Sequence, residues 1–215
     1  MTVAAKICGV NSAAAAQAAV AAGAAFTGFI FYPRSPRNVT PAQAAALASA
    51  IPASVRRVGV VVDPSDADLD ALLTAVPLEM LQLHGAESPE RVEAVRARTG
   101  LAVMKVIRVA GPSDLEALAA FEDAADWLLF DAKPPTSDAS ALPGGNALAF
   151  DWALLRGRVW RRPWMLSGGL NPENVAEAVQ ATGAAVVDVS SGVEDSPGVK
   201  NPARIRAFLG TTRSL

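Results

Sequence analysis

The chain is expected to form a single-domain α/β protein, a (β/α)8 TIM barrel, on three observations. Short β-branched or apolar runs alternate with longer Ala/Glu/Arg segments, which is the rhythm of repeated βα units. Eight such runs can be counted, and they read as continuous apolar stretches, as parallel strands covered on both faces do. The length, 215 residues, falls within what one barrel occupies. An open doubly wound sheet is the competing architecture.

Taken in order, the first strand runs from Val3 to Ile7 and breaks at Cys8-Gly9. Ser12 then caps a helix to Ala22, which Gly23 ends at the C′ position. The second strand, Phe26 to Phe31, leads into a long connection, Tyr32 to Thr40, before a helix from Pro41 to Ala50. Pro41, Pro89 and Pro172 each fall at a first helical turn, where a missing N–H costs nothing. Thr40, Ser88 and Asn171 stand before them as caps, their side chains accepting from N–H groups that lack helical partners. The third and fourth units are Val55 to Val62 with a helix Ser65 to Ala75, and Met80 to Leu83 with a helix Pro89 to Arg98. The fifth is Val103 to Ile107 with a helix Ser113 to Ala119. In the sixth, Trp127 to Phe130 is followed by the longest connection, Asp131 to Ala149, and a short helix from Asp151 to Leu155. The seventh and eighth are Trp164 to Leu166 with a helix Pro172 to Ala181, and Val186 to Val189 with a helix Pro202 to Phe208. Loops this long in a compact domain are usually functional, and both long ones would lie at the carboxyl ends of the strands.

Composition narrows the function classes. A formal net charge of -2, from 19 basic and 21 acidic side chains, supplies no basic field for nucleic acid or an anionic membrane surface. Hydrophobic residues make up 51%, much of it alanine, and no stretch approaches the ~20 strongly apolar residues of a membrane helix. Alanine instead favours soluble helices, because it loses no side-chain freedom there. One cysteine cannot form an internal disulfide, and the first residues carry no basic and apolar leader, so a cytoplasmic protein is expected. A lone histidine, His84, cannot build an imidazole metal site, so no metal is expected. The expected partner is a small phosphorylated molecule, held at the loops after the last two strands.

Several residues at predicted strand ends can carry chemistry. Cys8 is either a buried filler or a proton-transfer group or nucleophile. Lys6, two residues earlier, points to the same barrel side as Cys8, where its charge would favour the thiolate, or it pairs with a strand-end carboxylate such as Asp188. Asp131 closes the sixth strand as a general acid, a turn cap or a partner for Lys133. Asp188 reads first as structural or ligand-orienting. Arg34 and Arg37 lie on the Pro-stiffened second loop, where a guanidinium fork can hold a carboxylate bidentately. Ser167-Gly168-Gly169 and Ser190-Ser191-Gly192 follow the seventh and eighth strands, the usual place of a barrel's phosphate site. The glycines are also what a tight turn with positive φ requires. His84, ending the fourth strand, reads as a hydrogen-bonded structural group more readily than a ligand.

These blocks together resemble one family, the phosphoribosylanthranilate isomerases of tryptophan biosynthesis. The resemblance rests on Lys6-Ile7-Cys8-Gly9, Gly28 to Pro33 with Ser35 and Arg37, Arg57 to Val62, Gln82-Leu83-His84-Gly85, the Asp131 segment, Phe150-Asp151-Trp152, Leu166 to Val175 and Asp188 to Glu194, in order across nearly the whole chain. It implies a cofactor-independent Amadori rearrangement of N-(5-phosphoribosyl)anthranilate to 1-(2-carboxyphenylamino)-1-deoxyribulose 5-phosphate. By the same resemblance Asp131 is the general acid and Cys8 the general base. Arg37 would contact the anthranilate carboxylate, with Gly168, Gly169, Ser190, Ser191 and Gly192 at the phosphate. His84 would lie beside the substrate and Asp188 would support the site, and the resemblance implies a monomer or homodimer. The chain departs from the family's usual pattern at Gly144 to Ala149 and at Gly198-Val199-Lys200-Asn201. The metal-dependent sugar-phosphate epimerases on this barrel need paired histidines, which one histidine cannot supply, and the related imidazole-carboxamide sugar isomerases place an aspartate where Cys8 stands. A non-catalytic phosphate-binding barrel is the remaining alternative.

Overall fold

The computed structural model describes residues 2–116, 118–133, 144–145 and 148–215. Eight parallel strands follow one another around a closed barrel: β1 (Ala4–Cys8), β2 (Phe26–Phe31), β3 (Arg56–Val61), β4 (Met80–Leu83), β5 (Ala102–Val109), β6 (Trp127–Ala132), β7 (Trp164–Leu166) and β8 (Val186–Val189). The last strand returns to the first, with Lys6 opposite Asp188 and Ile7 opposite Val189. That seam excludes the open sheet.

Helices α1 (Ala13–Ala21), α2 (Pro41–Ala48), α3 (Asp66–Ala75), α4 (Pro89–Thr99), α5 (Leu118–Ala124), α6 (Val175–Thr182) and α7 (Pro202–Arg213) surround the strands. Ser12, Thr40, Ser65 and Ser88 cap α1 to α4 with their hydroxyls, and Asn201 caps α7 with its amide oxygen. In α1 the buried residues are Ala15, Ala16, Ala18 and Ala19, and the small side chains let it pack closely beside α7.

Side-chain alternation divides the core in two. Phe26, Val58, Met80, Met104, Val106, Leu129 and Met165 fill the barrel. Their strand neighbours, among them Phe29, Leu81, Val103, Leu128, Phe130 and Val187, pack outward beneath the helices. The apolar filling sits low, which leaves the carboxyl-end mouth to polar groups.

The structure departs from the sequence expectations in four places. The helix expected at Ser113 to Ala119 is a 3-10 turn, Pro112–Leu115, followed by α5. The short helix after β6 is a 3-10 turn, Trp152–Leu155, because Asp151 closes only a tight cap on Ala153 N–H. The helix expected from Pro172 begins at Val175. There Asn171 Oδ1 accepts from the N–H groups of Glu173 and Asn174 and completes a separate turn first. Finally, β8 leads through a 3-10 turn, Ser191–Val193, into an antiparallel ribbon, β9 (Glu194–Ser196) and β10 (Val199–Lys200), that was not expected. Much of the expected long connection after β6, including Asn146 and Ala147, lies outside the described residues.

Candidate active site

One cavity at the barrel mouth gathers residues from every strand but β5, or from the loop that follows it. Its wall includes Cys8 from β1, Arg37 from the second loop, His84, Asp131, Gly168 and Gly169, and Asp188, Ser190 and Ser191 from β8 and its loop. Of the residues that the resemblance places at the site, only Gly192 stands behind this wall. It packs on the Leu170 carbonyl, where a Cβ would fall 1.9 Å from the oxygen, so its lack of a side chain is a packing requirement.

Lys6 and Cys8 face into the barrel on alternate positions of β1. Gly28, opposite Cys8 on β2, makes room for both: a Cβ there would lie 3.2 Å from Cys8 Sγ and from Lys6 Nζ. Lys6 is fully buried and donates to Asp188 Oδ1 at 2.9 Å, with Ser167 Oγ donating to Oδ2 at 3.4 Å. The expected alternatives for Lys6 are therefore both realised, since it pairs with Asp188 and lies beside the thiol. Burial disfavours the Lys6 charge, but Asp188 and Cys8 outweigh that and hold its pKa above the usual lysine value. Burial pushes the Cys8 thiol up, with Lys6 opposing, Asp188 reinforcing and Lys200 opposing. Lys6 thus favours the thiolate as expected, but desolvation of the anion is the larger effect and the net direction is upward.

Asp131 ends β6 with Oδ1 accepting from the Ala132 N–H at 2.9 Å. Lys133 is not its partner; that ammonium reaches Asp114 at 2.6 Å instead. Oδ2 stands 3.4 Å from His84 Nε2, and the Gln82 amide nitrogen lies 3.1 Å from His84 Nδ1. Gly144 lies over this pair, since a Cβ on it would fall 2.6 Å from the imidazole and 2.9 Å from Asp131 Oδ2.

The two arginines of the second loop separate cleanly. Arg34 is exposed, whereas Arg37 is 3% exposed and reaches the cavity. A tight turn carries it, with Ser35 Oγ accepting from the Arg37 N–H at 3.2 Å. Its stem crosses Gly9, whose φ of +74° and missing side chain admit it. Two residues without a predicted role complete the network. Glu194 on β9 accepts from Arg37 Nε and Nη2, each at 2.8 Å, and Lys200 on β10 donates to Glu194 Oε1 at 2.7 Å and to the Ser190 carbonyl at 2.9 Å. Burial works against the Glu194 carboxylate, but Arg37 and Lys200 together hold its pKa below the usual value. Lys200, buried and sharing that one carboxylate, is held below the usual lysine value. Only the tertiary structure could find this pair, because Arg37 and Glu194 lie 157 residues apart.

The glycines after β7 have positive φ, +88° at Gly168 and +66° at Gly169, so the turn requirement and the cavity position coincide. Gly168 packs on the Ala132 backbone and Gly169 on residues 148–149.

A cavity with a thiol, a carboxyl group and buried cations, at the strand-end mouth of a parallel (β/α)8 barrel, defines the protein as a TIM-barrel enzyme. Residues 5–211 match the family model of N-(5'phosphoribosyl)anthranilate (PRA) isomerase. The chain therefore belongs to the phosphoribosylanthranilate isomerase family, isomerases of tryptophan biosynthesis. A curated relative of that name from Rhodospirillum centenum is 59% identical over 215 residues, covering 100% of both chains. The solved isomerase of Thermotoga maritima is 35% identical with a TM-score of 0.86, covering 99% of this chain and 100% of that one. A second solved phosphoribosylanthranilate isomerase, 34% identical with a TM-score of 0.84 and covering 99% of this chain and 100% of that one, is complexed with reduced 1-(o-carboxyphenylamino)-1-deoxyribulose 5-phosphate. Among the described residues no helix is long and apolar enough to cross a membrane, and no three or more His, Cys, Asp or Glu side chains are grouped to hold a metal ion.

Proposed function

We propose that Cys8 and Asp131 are the base and the acid of the family's rearrangement in this chain. The observation that carries the reading is their shared cavity, with Lys6 paired to Asp188 beneath the thiol and Arg37 on the wall. The substrate's phosphate lies against Gly168, Gly169, Ser190 and Ser191, and its anthranilate carboxylate meets Arg37. Asp131 gives its proton to the furanose oxygen while the anilino nitrogen's lone pair expels C1 from that oxygen, leaving an open-chain iminium. Cys8, as thiolate, removes the C2 proton, and the C–H electron pair forms the C1–C2 double bond and neutralises the iminium nitrogen. The resulting enolamine tautomerises: C1 gains a proton and the C2 hydroxyl loses one, giving the ketose.

A raised thiol pKa suits this role, because a thiolate that is costly to form is a stronger base once formed. Lys6 and Lys200 are the cations that lower that cost. We place the activity in the cytoplasm, where the unpaired Cys8 thiol stays reduced.

The decay of phosphoribosylanthranilate fluorescence tests the reading. Wild type turns the substrate over without added metal or nucleotide, while Cys8→Ala and Asp131→Ala each lose roughly 10²- to 10⁴-fold in kcat and keep the wild-type circular dichroism. Full turnover in either variant removes that residue from the mechanism. Binding of the reduced product by wild type without turnover would make the chain a binding module.

A further inference from the structure

The Arg37 guanidinium enters the site already held along one edge. Nε and Nη2 donate side-on to the two oxygens of Glu194, each at 2.8 Å, and both side chains are nearly out of solvent, at 4% and 3% exposure. Nη2 also donates to the Gly145 carbonyl at 3.3 Å. A guanidinium has a side-on edge, Nε with one Nη, and an end-on edge formed by its two Nη atoms. With the side-on edge taken, a carboxylate in the cavity can be met only through the Nη1 end. Gly145 lies against that end, for a Cβ there would stand 2.6 Å from Nη1.

Glu194 is itself braced. Lys200 Nζ donates to Oε1 at 2.7 Å, and the Gly198 N–H donates to Oε2 at 3.2 Å. Lys200 also donates to the Ser190 carbonyl at 2.9 Å and to Ser190 Oγ at 3.3 Å, and Ser190 Oγ donates to the Cys8 carbonyl at 3.2 Å. The ribbon thus ties the loop after β8 to the arginine across the same wall. A loose surface pair would exchange partners with water, whereas this carboxylate is held from the side away from the arginine as well.

We propose that Glu194, braced by Lys200 on the β9–β10 ribbon, is a positioning residue that selects for a carboxylate on the substrate's aromatic ring. It does so by pinning Arg37 side-on and turning the Nη1 end toward the ligand. Arg37 then accepts the carboxylate in one direction and at one depth, instead of following it. The proposal rests on the reading that Arg37 is the partner of the anthranilate carboxylate. Glu194→Gln keeps the volume but sets an amide NH₂ against one arginine N–H, so the side-on pair cannot form.

The test is calorimetric titration of full-length wild type, Glu194→Gln, Arg37→Met and the double variant with two probes. These are reduced 1-(2-carboxyphenylamino)-1-deoxyribulose 5-phosphate and its phenylamino counterpart without the carboxyl group. Glu194→Gln is expected to weaken the carboxylated probe on the order of tenfold and to leave the phenyl probe unchanged. In the Arg37→Met background it adds no further loss. Equal weakening of both probes, or an undiminished effect without Arg37, overturns the proposal. The Arg37→Met arm reads the underlying assignment by itself: if that substitution weakens both probes equally, or neither, Arg37 is not the carboxylate's partner. If Arg37→Met weakens only the carboxylated probe and Glu194→Gln does not, only the positioning role falls. Should Glu194→Gln fail to fold, Glu194→Asp keeps the charge for Lys200 and withdraws it from Arg37 by one methylene. The same selective loss is then expected, and a loss without selectivity overturns the proposal.

Discussion

Two buried ionic clusters stand across the barrel mouth from each other, and they differ in where their charges point. Around β8, β1 and β2, Lys6, Asp188, Arg37, Glu194 and Lys200 pair with one another, and Arg37 and Asp188 reach the cavity wall. Around β3, β4 and β5, Lys105 donates to Glu87 at 2.6 Å and to the Gly85 carbonyl at 2.9 Å. Glu87 accepts from the Asp63 and Gly85 N–H groups, and Asp63, itself exposed, accepts from the Ala86 N–H. None of these three charged residues lines the cavity; together they fix the loop that follows His84. The two strand lysines make the contrast compact. Lys6 faces into the barrel, whereas Lys105, between inward Met104 and Val106, faces out under α5, with Nζ 5.9 Å from the centre of the Phe121 ring. Buried charge alone therefore does not mark a site; the side of the strand it leaves from does.

The comparison breaks most readily at Glu87. Glu87→Ala strands Lys105 in the interior, and urea unfolding should show a loss of roughly 3–5 kcal/mol, the usual cost of removing one partner of a buried pair. The kcat of the folded fraction should stay near wild type. A stable variant with collapsed kcat would place this cluster in the reaction.

Next in size is Lys6→Met, the inward counterpart. Lys6 is the strongest influence opposing the rise of the Cys8 thiol, so its loss should move that thiol's titration upward, read by thiolate absorbance against a Cys8→Ala blank. An unmoved titration would mean that the inward lysine serves Asp188 alone.

Acid should touch both clusters together. Pairing holds Glu87 and Glu194 below the usual glutamate value of 4.5, although burial works the other way. Their contribution is present above that value and is lost as pH falls through the lowered folded values, where the folded state must take up protons. The urea midpoint should therefore decline below about pH 4.5, less steeply in Glu87→Gln than in wild type. The smallest effect belongs to the exposed Arg98–Asp70 pair: Arg98→Ala should leave Tm unchanged within error, and a clear drop would show that surface pairs matter here as much as buried ones.

Legibility in the sequence follows the same division. Strands were readable because both-face burial writes unbroken apolar runs, and Phe26–Phe31, Met80–Leu83, Trp164–Leu166 and Val186–Val189 stand where those runs do. Helix starts were readable where one hydroxyl does the capping, at Ser12, Thr40 and Ser88, but not at Asn171, whose side chain closes its own turn first. The β9–β10 ribbon escaped because strands of two and three residues carry no periodicity. Cys8, Arg37, Asp131 and Asp188 could be singled out as polar groups at strand ends or on a functional loop. The roles of Glu194 and Lys200 depend on distant partners, and no local pattern announces them.

The β1–β8 seam has one more consequence, for the order in which the molecule is assembled. Lys6 and Asp188 are 182 residues apart, as are Cys8 and Ser190, so the first strand synthesised meets its site partners only when the eighth is made. Until then the thiol has neither its companion ion pair nor the hydroxyl that binds its carbonyl. The thiol on the barrel's first strand is thus the last to be given its surroundings, and no half-built barrel carries the completed cavity wall.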